Sequence, residues 1–213
     1  MLNFQDFQEF VPKLVAVSLP ASEAHFKMAP LERIQFLENL VEKSLKPKIA
    51  AVLMLVYPKD NKSHLVLIVR NAYNGVHSSQ IAFPGGKYES FDLDFEATAI
   101  RETYEEIGVQ PHKIEVIKSF THLYIPPSNF MVYPFLGICR EEIEFFPDPK
   151  EVVNIIELPL IELLSDALVI NTVIKTSYAE LISTPAFKIN NHIVWGATAM
   201  MLSELKEVLK KIY

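Results

Sequence analysis

Apolar residues recur at helical spacing in the first part of the chain. Between residues 30 and 46 an apolar position returns every three or four residues, at Leu31, Ile34, Leu37, Val41 and Leu45. This spacing places the five side chains on one face of an α-helix. Pro30 suits the first helical turn, and Pro47 favours an exit from the helix. We therefore predict a helical N-terminal extension, residues 1–46, whose apolar stripe packs on the following domain or across a homodimer.

After Pro47 the pattern changes to that of β-strands. Two apolar runs flank a polar turn at residues 59–63, which predicts a hairpin. Further strands are predicted at about 113–121, 130–140, 151–157 and 169–176, and the closing stretch WGATAMMLSELKEVLKKIY has helical periodicity. These elements predict a second region, residues 47–213, of mixed α/β (α+β) class in which helices cover a sheet.

Composition and charge narrow the class of protein. Half of the 213 residues are apolar and 22% are charged, which excludes a disordered chain. The net charge of −6 disfavours a broad electrostatic contact with nucleic acid. The longest apolar run, Ile49–Tyr57, is nine residues, which is too short to cross a membrane as a helix.

The single cysteine and the N-terminal residues add two further expectations. Cys139 stands alone, which excludes an internal disulfide and a multi-cysteine zinc site, and we expect it to be a buried, small apolar side chain. The N-terminus, MLNFQDFQEF, carries acidic residues where a secretory signal has a basic region. We therefore expect a soluble, cytoplasmic protein.

The segment Phe83–Val109 holds the residues that are most informative about chemistry. A Gly-Gly turn and an Asp-rich approach precede a predicted helix, with Asp92 or Asp94 as its N-cap and Gly108 as its stop. At about 100° per residue one face of this helix is apolar and is predicted to be buried, with Ala97, Ile100, Tyr104 and Ile107. The opposite face is predicted to present Glu102, Glu105 and Glu106.

This clustering of carboxylates costs the helix stability. Glu102 and Glu106 form a like-charge pair four residues apart, and all three glutamates lie near the C-terminal end, where the helix dipole disfavours anions. Arg101 offers local relief to Glu105. Bound Mg²⁺ or Mn²⁺ would remove the repulsion, because these ions prefer carboxylate oxygens. The alternative is that the glutamates form an ordinary solvated helix face.

The stretch RETYEEIGV, Arg101–Val109, resembles the core of the Nudix box, G-x5-E-x7-R-E-U-x-E-E-x-G-U, where U is aliphatic. Thr103 replaces an aliphatic residue. Counted from Gly86, the acidic position is Asp92 in place of Glu, and the gap to Arg101 is one residue longer than the general pattern. Such a lengthened box with an acidic residue, often Asp, is similar to that of the coenzyme A pyrophosphatases.

An upstream motif strengthens the resemblance to that subfamily, whose pattern is L-R-x-H-x-G-Q-V-x-F-P-G-G. The matching stretch NGVHSSQIAFPGG supplies His77, Gln80, Phe83, Pro84, Gly85 and Gly86. Ser79 stands where Gly is usual, and Asn74-Gly75 stand where Leu-Arg is expected. The resemblance covers about residues 47–205 and implies the Nudix-type α/β/α sandwich, with a mixed sheet between helices.

The resemblance also implies roles for individual residues. Glu102 and Glu106 are expected to bind the metal, with Glu105 as a third ligand or as the base for the attacking water. The backbone carbonyl of Gly86 is a further candidate ligand, and Arg101 is expected to orient the glutamates. A distal carboxylate is a second candidate for the base, and four remain open: Glu141, Glu142, Glu144 and Glu151.

Substrate contacts are expected from two stretches. The upstream motif supplies His77, Gln80 and Gly85, and a Pro-Pro loop supplies Tyr124 and Asn129. Turn chemistry alone is an alternative explanation for that loop. We expect Trp195 to anchor the last helix rather than to stack on adenine.

Three functions compete. The first is metal-dependent hydrolysis of coenzyme A or an acyl-coenzyme A to 3′,5′-ADP and (acyl-)4′-phosphopantetheine. The second keeps the metal site and acts on ADP-ribose, dinucleotides or nucleoside triphosphates. The third is a non-catalytic Nudix module that senses a ligand. The presence of the three glutamates and Arg101 disfavours the third.

Overall fold

A two-residue turn at Asp60 and Asn61 closes the predicted hairpin. In the computed structural model, strand β1 (Lys48–Lys59) pairs antiparallel with β2 (Lys62–Arg70), and Lys59 lies opposite Lys62. Asp60 and Asn61 have φ angles of 48° and 58°. Asp and Asn tolerate this left-handed backbone, which a type I′ turn requires at both positions. The hairpin prediction is therefore confirmed.

The structure describes residues 3–31, 33–34, 46–71, 80–174 and 181–213. Within these ranges, the other strands are β3 (Ile81–Ala82), β4 (Gly85–Lys87), β5 (Glu115–Ser119), β6 (Leu123–Ile125), β7 (Phe130–Ile138), β8 (Val152–Pro159), β9 (Val169–Ile174), β10 (Ile182–Ile189) and β11 (His192–Val194). The helices are α1 (Phe4–Ala16), α2 (Ser22–Phe26), α3 (Phe95–Ile107), α4 (Leu160–Leu163) and α5 (Gly196–Lys210). Short 3₁₀ turns lie at Pro111–Lys113, Pro126–Ser128 and Asp166–Leu168.

Strand β1 lies inside a mixed sheet. It pairs parallel with β7 and antiparallel with β2 and β4. The order is β3-β2-β1-β7-β5, with β4 beside β1, β6 beside β7 and β8 beside β2. Strands β9, β10 and β11 form a second, antiparallel sheet in the order β11-β10-β9.

Alternate side chains of β1 enter two apolar clusters, one on each face of the main sheet. Met54 and Val56 pack with apolar residues of α1 and α5, whereas Leu53 and Leu55 pack in the cluster that contains Ala99 of α3. This alternation follows from the two-residue repeat of a strand. Helices therefore cover both faces of a mixed sheet, and the predicted α/β/α sandwich is confirmed.

The N-terminal residues share the core of the main sheet. Phe4, Phe7 and Leu14 of α1 are buried in the same cluster as the sheet. Of the apolar stripe predicted for residues 31–45, Ile34 packs against this cluster. Leu31 is 71% exposed, so its predicted burial is wrong, because Pro30 occupies the buried position next to it. Leu37, Val41 and Leu45 lie outside the described residues.

The four later strands predicted from the pattern correspond to β5, β7, β8 and β9; residues 175–176 lie outside the described part. Strands β3, β4 and β6 escaped prediction because two or three residues show no periodicity. Strand β10 contains Pro185, a residue that argues against a strand. Cys139 is fully buried, as predicted. No described helix has the length and apolar character needed to span a bilayer.

Candidate active site

Helix α3 begins and ends at the predicted kinds of residue. The side chain of Asp94 accepts a hydrogen bond of 2.8 Å from the backbone N–H of Ala97, so Asp94 is the N-cap. Gly108 ends the helix with φ 76°, a left-handed conformation that favours glycine. Asp92, the other candidate for the cap, lies outside the helix and has a different partner, Arg101.

The buried face of α3 agrees only in part with the one predicted from its apolar residues: Ile107 is buried as predicted, Ala97 and Ile100 are partly buried, and Tyr104 is exposed. Its buried residues are Thr98, Ala99, Thr103, Glu106 and Ile107, whereas Tyr104 is 45% exposed. Helix α3 packs on β1 and β4. The small side chains of Ala99, Thr98 and Thr103 suit close packing on the sheet, so the helix turns Glu106 inward and Tyr104 outward. The prediction that the glutamates form the outer face is therefore wrong for Glu106, and Glu102 is also half-buried.

The Gly-Gly pair lies in β4, directly beside these glutamates. Gly85 and Gly86 pair with Val52 and Ala51 of β1. Gly85 has φ 149°, and a Cβ there would overlap the backbone of β1. A Cβ on Gly86 would overlap the carboxylate of Glu102. Glycine is required at Gly85 by conformation and space, whereas at Gly86 it leaves room for the approach of the Glu102 carboxylate.

Glu106 is the most buried carboxylate of the group, with a side chain 1% exposed. It accepts a hydrogen bond of 2.8 Å from the backbone N–H of Gly85 and lies 3.2 Å from Nη1 of Arg70. Burial raises the pKa of Glu106 to about 8, against the lowering effect of Arg70 and Gly85, and the charges of Glu102 and Glu151 raise it further. Arg70 and Gly85 therefore compensate only part of the cost of burying this charge.

Arg101 connects the remaining carboxylates. Its Nε and Nη2 lie 2.7 and 2.9 Å from the two carboxylate oxygens of Asp92, and Nη1 lies 2.8 Å from Glu102 and 2.9 Å from Glu105. Nη2 also donates to the backbone carbonyl of Lys87, at 3.1 Å. The hydrogen bond from Arg101 holds the pKa of Asp92 well below its usual range. The orienting role of Arg101 stays a prediction, and these contacts are the ones it would use.

The donor set suits a divalent cation. The carboxylates of Asp92, Glu102, Glu105 and Glu106 share two guanidinium groups, those of Arg101 and Arg70, so the ionised cluster retains excess negative charge. Burial raises the pKa of Glu102 and outweighs the lowering effect of Arg101. In this conformation the carboxylates face the two arginines. Among the described residues, no three acidic, His or Cys side chains converge on one point.

One distal carboxylate stands apart from the other candidates for the base. Glu151 is exposed and close enough to Glu102 and Glu106 to raise the pKa of both. Its backbone carbonyl accepts from the N–H of Asn71, which follows the strand that carries Arg70. Glu141 pairs instead with Lys113, at 2.9 Å, and Glu142 with the backbone N–H of Asp60, at 3.1 Å.

A cavity of about 480 Å³ adjoins the cluster. Gly85, Gly86 and Lys87 line it, so strand β4 belongs to both the cavity and the carboxylate site. Gln80, predicted to contact substrate, lies in the cavity wall, whereas His77 lies outside the described residues. Trp195 is the N-cap residue of α5, and it also lines the cavity.

Tyr124 and Asn129 do not line this cavity. The hydroxyl of Tyr124 donates to the side-chain oxygen of Asn129, at 3.0 Å, and Asn129 adopts φ 53° at the end of the 3₁₀ turn. The loop contributes Pro126, Pro127 and the adjoining Phe130 to the wall instead.

Arg70, in contact with Glu106, was missed from the sequence. The only available signal was a basic residue that closes an apolar strand, and this pattern is common in strands that have no catalytic role.

Comparisons with known proteins identify the family. The model of the NUDIX domain matches residues 47–175. Nudix hydrolase 15, mitochondrial, from Arabidopsis thaliana is 36% identical over 57% of this chain and 43% of its own length. The peroxisomal coenzyme A diphosphatase of Mus musculus is 32% identical over 52% of this chain and 46% of its own length. The chain therefore spans less than half the length of these two relatives.

A solved structure supports the fold. The crystal structure of a Nudix hydrolase from M. smegmatis, RenU, superposes with a TM-score of 0.53 at 14% identity, and the match covers 78% of this chain and 88% of the other. At this identity the similarity concerns the fold alone. The glutamate helix lies against a Gly-Gly strand, and the NUDIX domain model matches more than half of this chain. The chain therefore belongs to the family of Nudix hydrolases, which act on pyrophosphate bonds.

Proposed function

We propose that this protein hydrolyses the diphosphate bond of coenzyme A or its thioesters, giving 3′,5′-ADP and 4′-phosphopantetheine or its acyl form. The observation that carries the proposal concerns strand β4, which contacts Glu102 and Glu106 and also lines the cavity. The upstream motif around Gln80 and the similarity to a coenzyme A diphosphatase support the same substrate.

Different residues of the site would bind the metal, orient its ligands and bind the substrate. Glu102, Glu105 and Glu106 would hold Mg²⁺ or Mn²⁺, with the carbonyl of Gly86 as a further ligand. The bound ion would neutralise phosphate charge and lower the pKa of water. Arg101 orients Glu102 and Glu105 through Nη1, and Asp92 holds Arg101 in turn. Arg70, which lines the cavity and contacts Glu106, would bind a diphosphate oxygen.

Glu151 is our candidate for the general base. It is exposed, so water reaches it, and it lies near the two glutamates expected to bind the metal. A carboxylate there would take the proton of the attacking water as the new P–O bond forms and the bond to the leaving phosphate breaks. Glu151→Gln should lower kcat about a hundredfold, whereas Glu144→Gln, an exposed residue of the same region, should leave it unchanged. Equal rates in the two variants would remove Glu151 from this role.

Product analysis tests the substrate. Purified protein would be incubated with coenzyme A, acetyl-coenzyme A, ADP-ribose, NADH, diadenosine polyphosphates and dNTPs, each with Mg²⁺, Mn²⁺ or a chelator, and the products identified by liquid chromatography and mass spectrometry. We expect metal-dependent 3′,5′-ADP from the coenzyme A compounds alone. Turnover of another compound instead would retain the metal site and reject this substrate. No turnover of any compound would favour a ligand-sensing module.

A further inference from the structure

The wall of the cavity is mainly apolar, and several of its residues come from outside the matched Nudix domain. Strands of the domain contribute Val52, Phe83 and Val132 among others. Segments before and after residues 47–175 contribute Pro30, Arg33, Ile182, Trp195, Ala197 and Met201. Such a wall can differ between family members without any change to the carboxylate site.

Three polar side chains of the wall, besides Arg70 and Gln80, form contacts with protein atoms. The hydroxyl of Thr198 donates to the carbonyl of Ile81 at 2.9 Å, Lys87 pairs with Glu89 at 3.1 Å, and Arg33 donates to the carbonyl of Tyr124. The apolar part of the wall would not replace the hydrogen bonds to water that a nucleotide placed against it would lose. An alkyl chain would lose none and would gain from removal of its surface from water.

The size and position of the cavity fit such a chain. About 480 Å³ lies within the range for pockets that enclose a small ligand. Arg70 and β4 lie at its wall, so a diphosphate held beside Arg70 would leave one arm of the substrate free to enter the apolar part. We infer that this cavity binds the acyl chain of a coenzyme A thioester, and that Ile182, Ala197 and Met201 set the chain length accepted. The inference rests on the proposed function.

Trp195 reports directly on this cavity, because it is the only tryptophan of the chain and lies in the wall. Its fluorescence would be titrated with coenzyme A, hexanoyl- and decanoyl-coenzyme A and 3′,5′-ADP, with a chelator to stop turnover and below micelle-forming concentrations. We expect decanoyl-coenzyme A to bind at least tenfold more tightly than hexanoyl-coenzyme A. Each buried methylene contributes roughly 0.8 kcal/mol, about fourfold in Kd. Equal Kd values, or a Trp195 response to 3′,5′-ADP like that to the thioester, would overturn the inference.

A variant that fills the cavity provides the second test. Ala197 is partly buried at the start of α5, so Ala197→Phe adds a ring to the wall. It should abolish the advantage of decanoyl- over hexanoyl-coenzyme A in Kd and in kcat/KM. Ile182→Phe serves if the first variant does not fold. Val173→Phe is the matched control, because Val173 is 59% exposed on β9 and does not line the cavity; it should retain the advantage.

The two proposals fail in different ways. Chain-length-dependent binding without hydrolysis of any thioester would reject the proposed function and retain the cavity assignment. Hydrolysis with no dependence on chain length, in the wild type and in Ala197→Phe alike, would retain the function and reject the cavity assignment.

Discussion

Arg101 and Asp92 form a two-point ion pair, with Nε–Oδ1 and Nη2–Oδ2 distances of 2.7 and 2.9 Å. The side chain of Asp92 is 3% exposed, and it also accepts from the hydroxyl of Thr98 at 2.8 Å and the backbone N–H of Glu89 at 3.0 Å. The remaining face of the guanidinium reaches Glu102 and Glu105. Asp92 therefore fixes the arginine that positions two expected metal ligands.

Asp92→Asn should cost about 3 kcal/mol of unfolding free energy, because it leaves the guanidinium against an amide in a nearly buried site. It should also lower kcat, since Arg101 loses the partner that fixes it. Denaturant unfolding and steady-state kinetics measure the two effects. The control is Asp94→Asn, two residues away: Asn caps a helix as well as Asp does, so stability and kcat should remain near wild type. Equal losses in both variants would contradict the positioning role.

Glu105→Gln and Glu106→Gln should each lower kcat on the order of a hundredfold or more. Removal of one preorganised charge-stabilising group from the active sites of other enzymes has an effect of this size. Both changes keep side-chain shape and remove a charge expected to bind the metal. Calorimetric titration with Mn²⁺ should show weaker binding in the same variants. Glu96→Gln, in the first turn of the same helix and exposed, should change neither quantity. Near-normal rates in both glutamate variants would refute the metal-site assignment.

Alanine at the two neighbouring glycines should separate stability from activity. At Gly85 a Cβ meets backbone atoms and the φ of 149° is strained for alanine, so Gly85→Ala should lower the melting temperature. At Gly86 the Cβ meets the flexible end of Glu102, so Gly86→Ala should unfold near the wild-type temperature and yet lose activity. Thermal unfolding and kcat for both variants test this contrast. A folded, fully active Gly86→Ala would show that the position of Glu102 is not critical.

Glu204 on α5 should make stability depend on pH. It is fully buried and accepts hydrogen bonds from the N–H of Ala21, at 3.0 Å, and from the hydroxyl of Thr121, at 2.6 Å; Nε2 of His25 lies 3.3 Å away. Burial acts to raise the pKa of Glu204, but the hydrogen bonds of His25 and Thr121 outweigh it and leave the pKa below its ordinary value. Because the folded pKa is the lower one, the stabilisation is present above the unfolded value of about 4.3 and is lost as pH falls through the folded pKa.

Glu204→Gln should therefore lower stability by about 2 kcal/mol at neutral pH, and the gap from wild type should narrow below roughly pH 4. Glu207→Gln is the control: Glu207 lies three residues further along the helix and pairs with the exposed Lys27, so its loss should cost less than about 1 kcal/mol. Unfolding free energies from pH 3 to 7 test this. A gap that is constant across the range would show that the charge of Glu204 contributes nothing.

Removal of residues 1–46 should lower the melting temperature by about 10 °C or more. The deletion removes Phe4, Phe7 and Leu14 and exposes the core surface that they cover. Burial of each of these side chains contributes roughly 1.5–3 kcal/mol to the free energy of unfolding. It also removes His25 and Ala21 from Glu204. Calorimetry and sedimentation compare the shortened and full chains. An unchanged melting temperature and sedimentation coefficient would show that the extension neither packs on the domain nor forms a dimer contact.

Local interactions were readable from the sequence because they depend on residues close in the chain. The polar turn within residues 59–63, an N-cap at Asp92 or Asp94 and the stop at Gly108 each depend on residues within one turn of the position itself, and the structure shows that Asp94 is the cap. The pairing of Arg101 with Glu105 was equally visible, because four residues separate them on one helix. The fold class followed from the change between helical and strand periodicity.

Tertiary packing decided the rest, because it depends on residues far apart in sequence. Apolar content predicted that Tyr104 would face the core, but contact of Ala99 and its neighbours with β1 and β4 turned Glu106 inward instead. Four distal carboxylates were equivalent in the sequence, and only the path of the chain past Asn71 brought Glu151 towards the glutamates. The cavity likewise joins Pro30 to Ala197. Their juxtaposition exists only because α5 and the N-terminal segment cover the same face of the sheet, and no local pattern encodes that long-range burial.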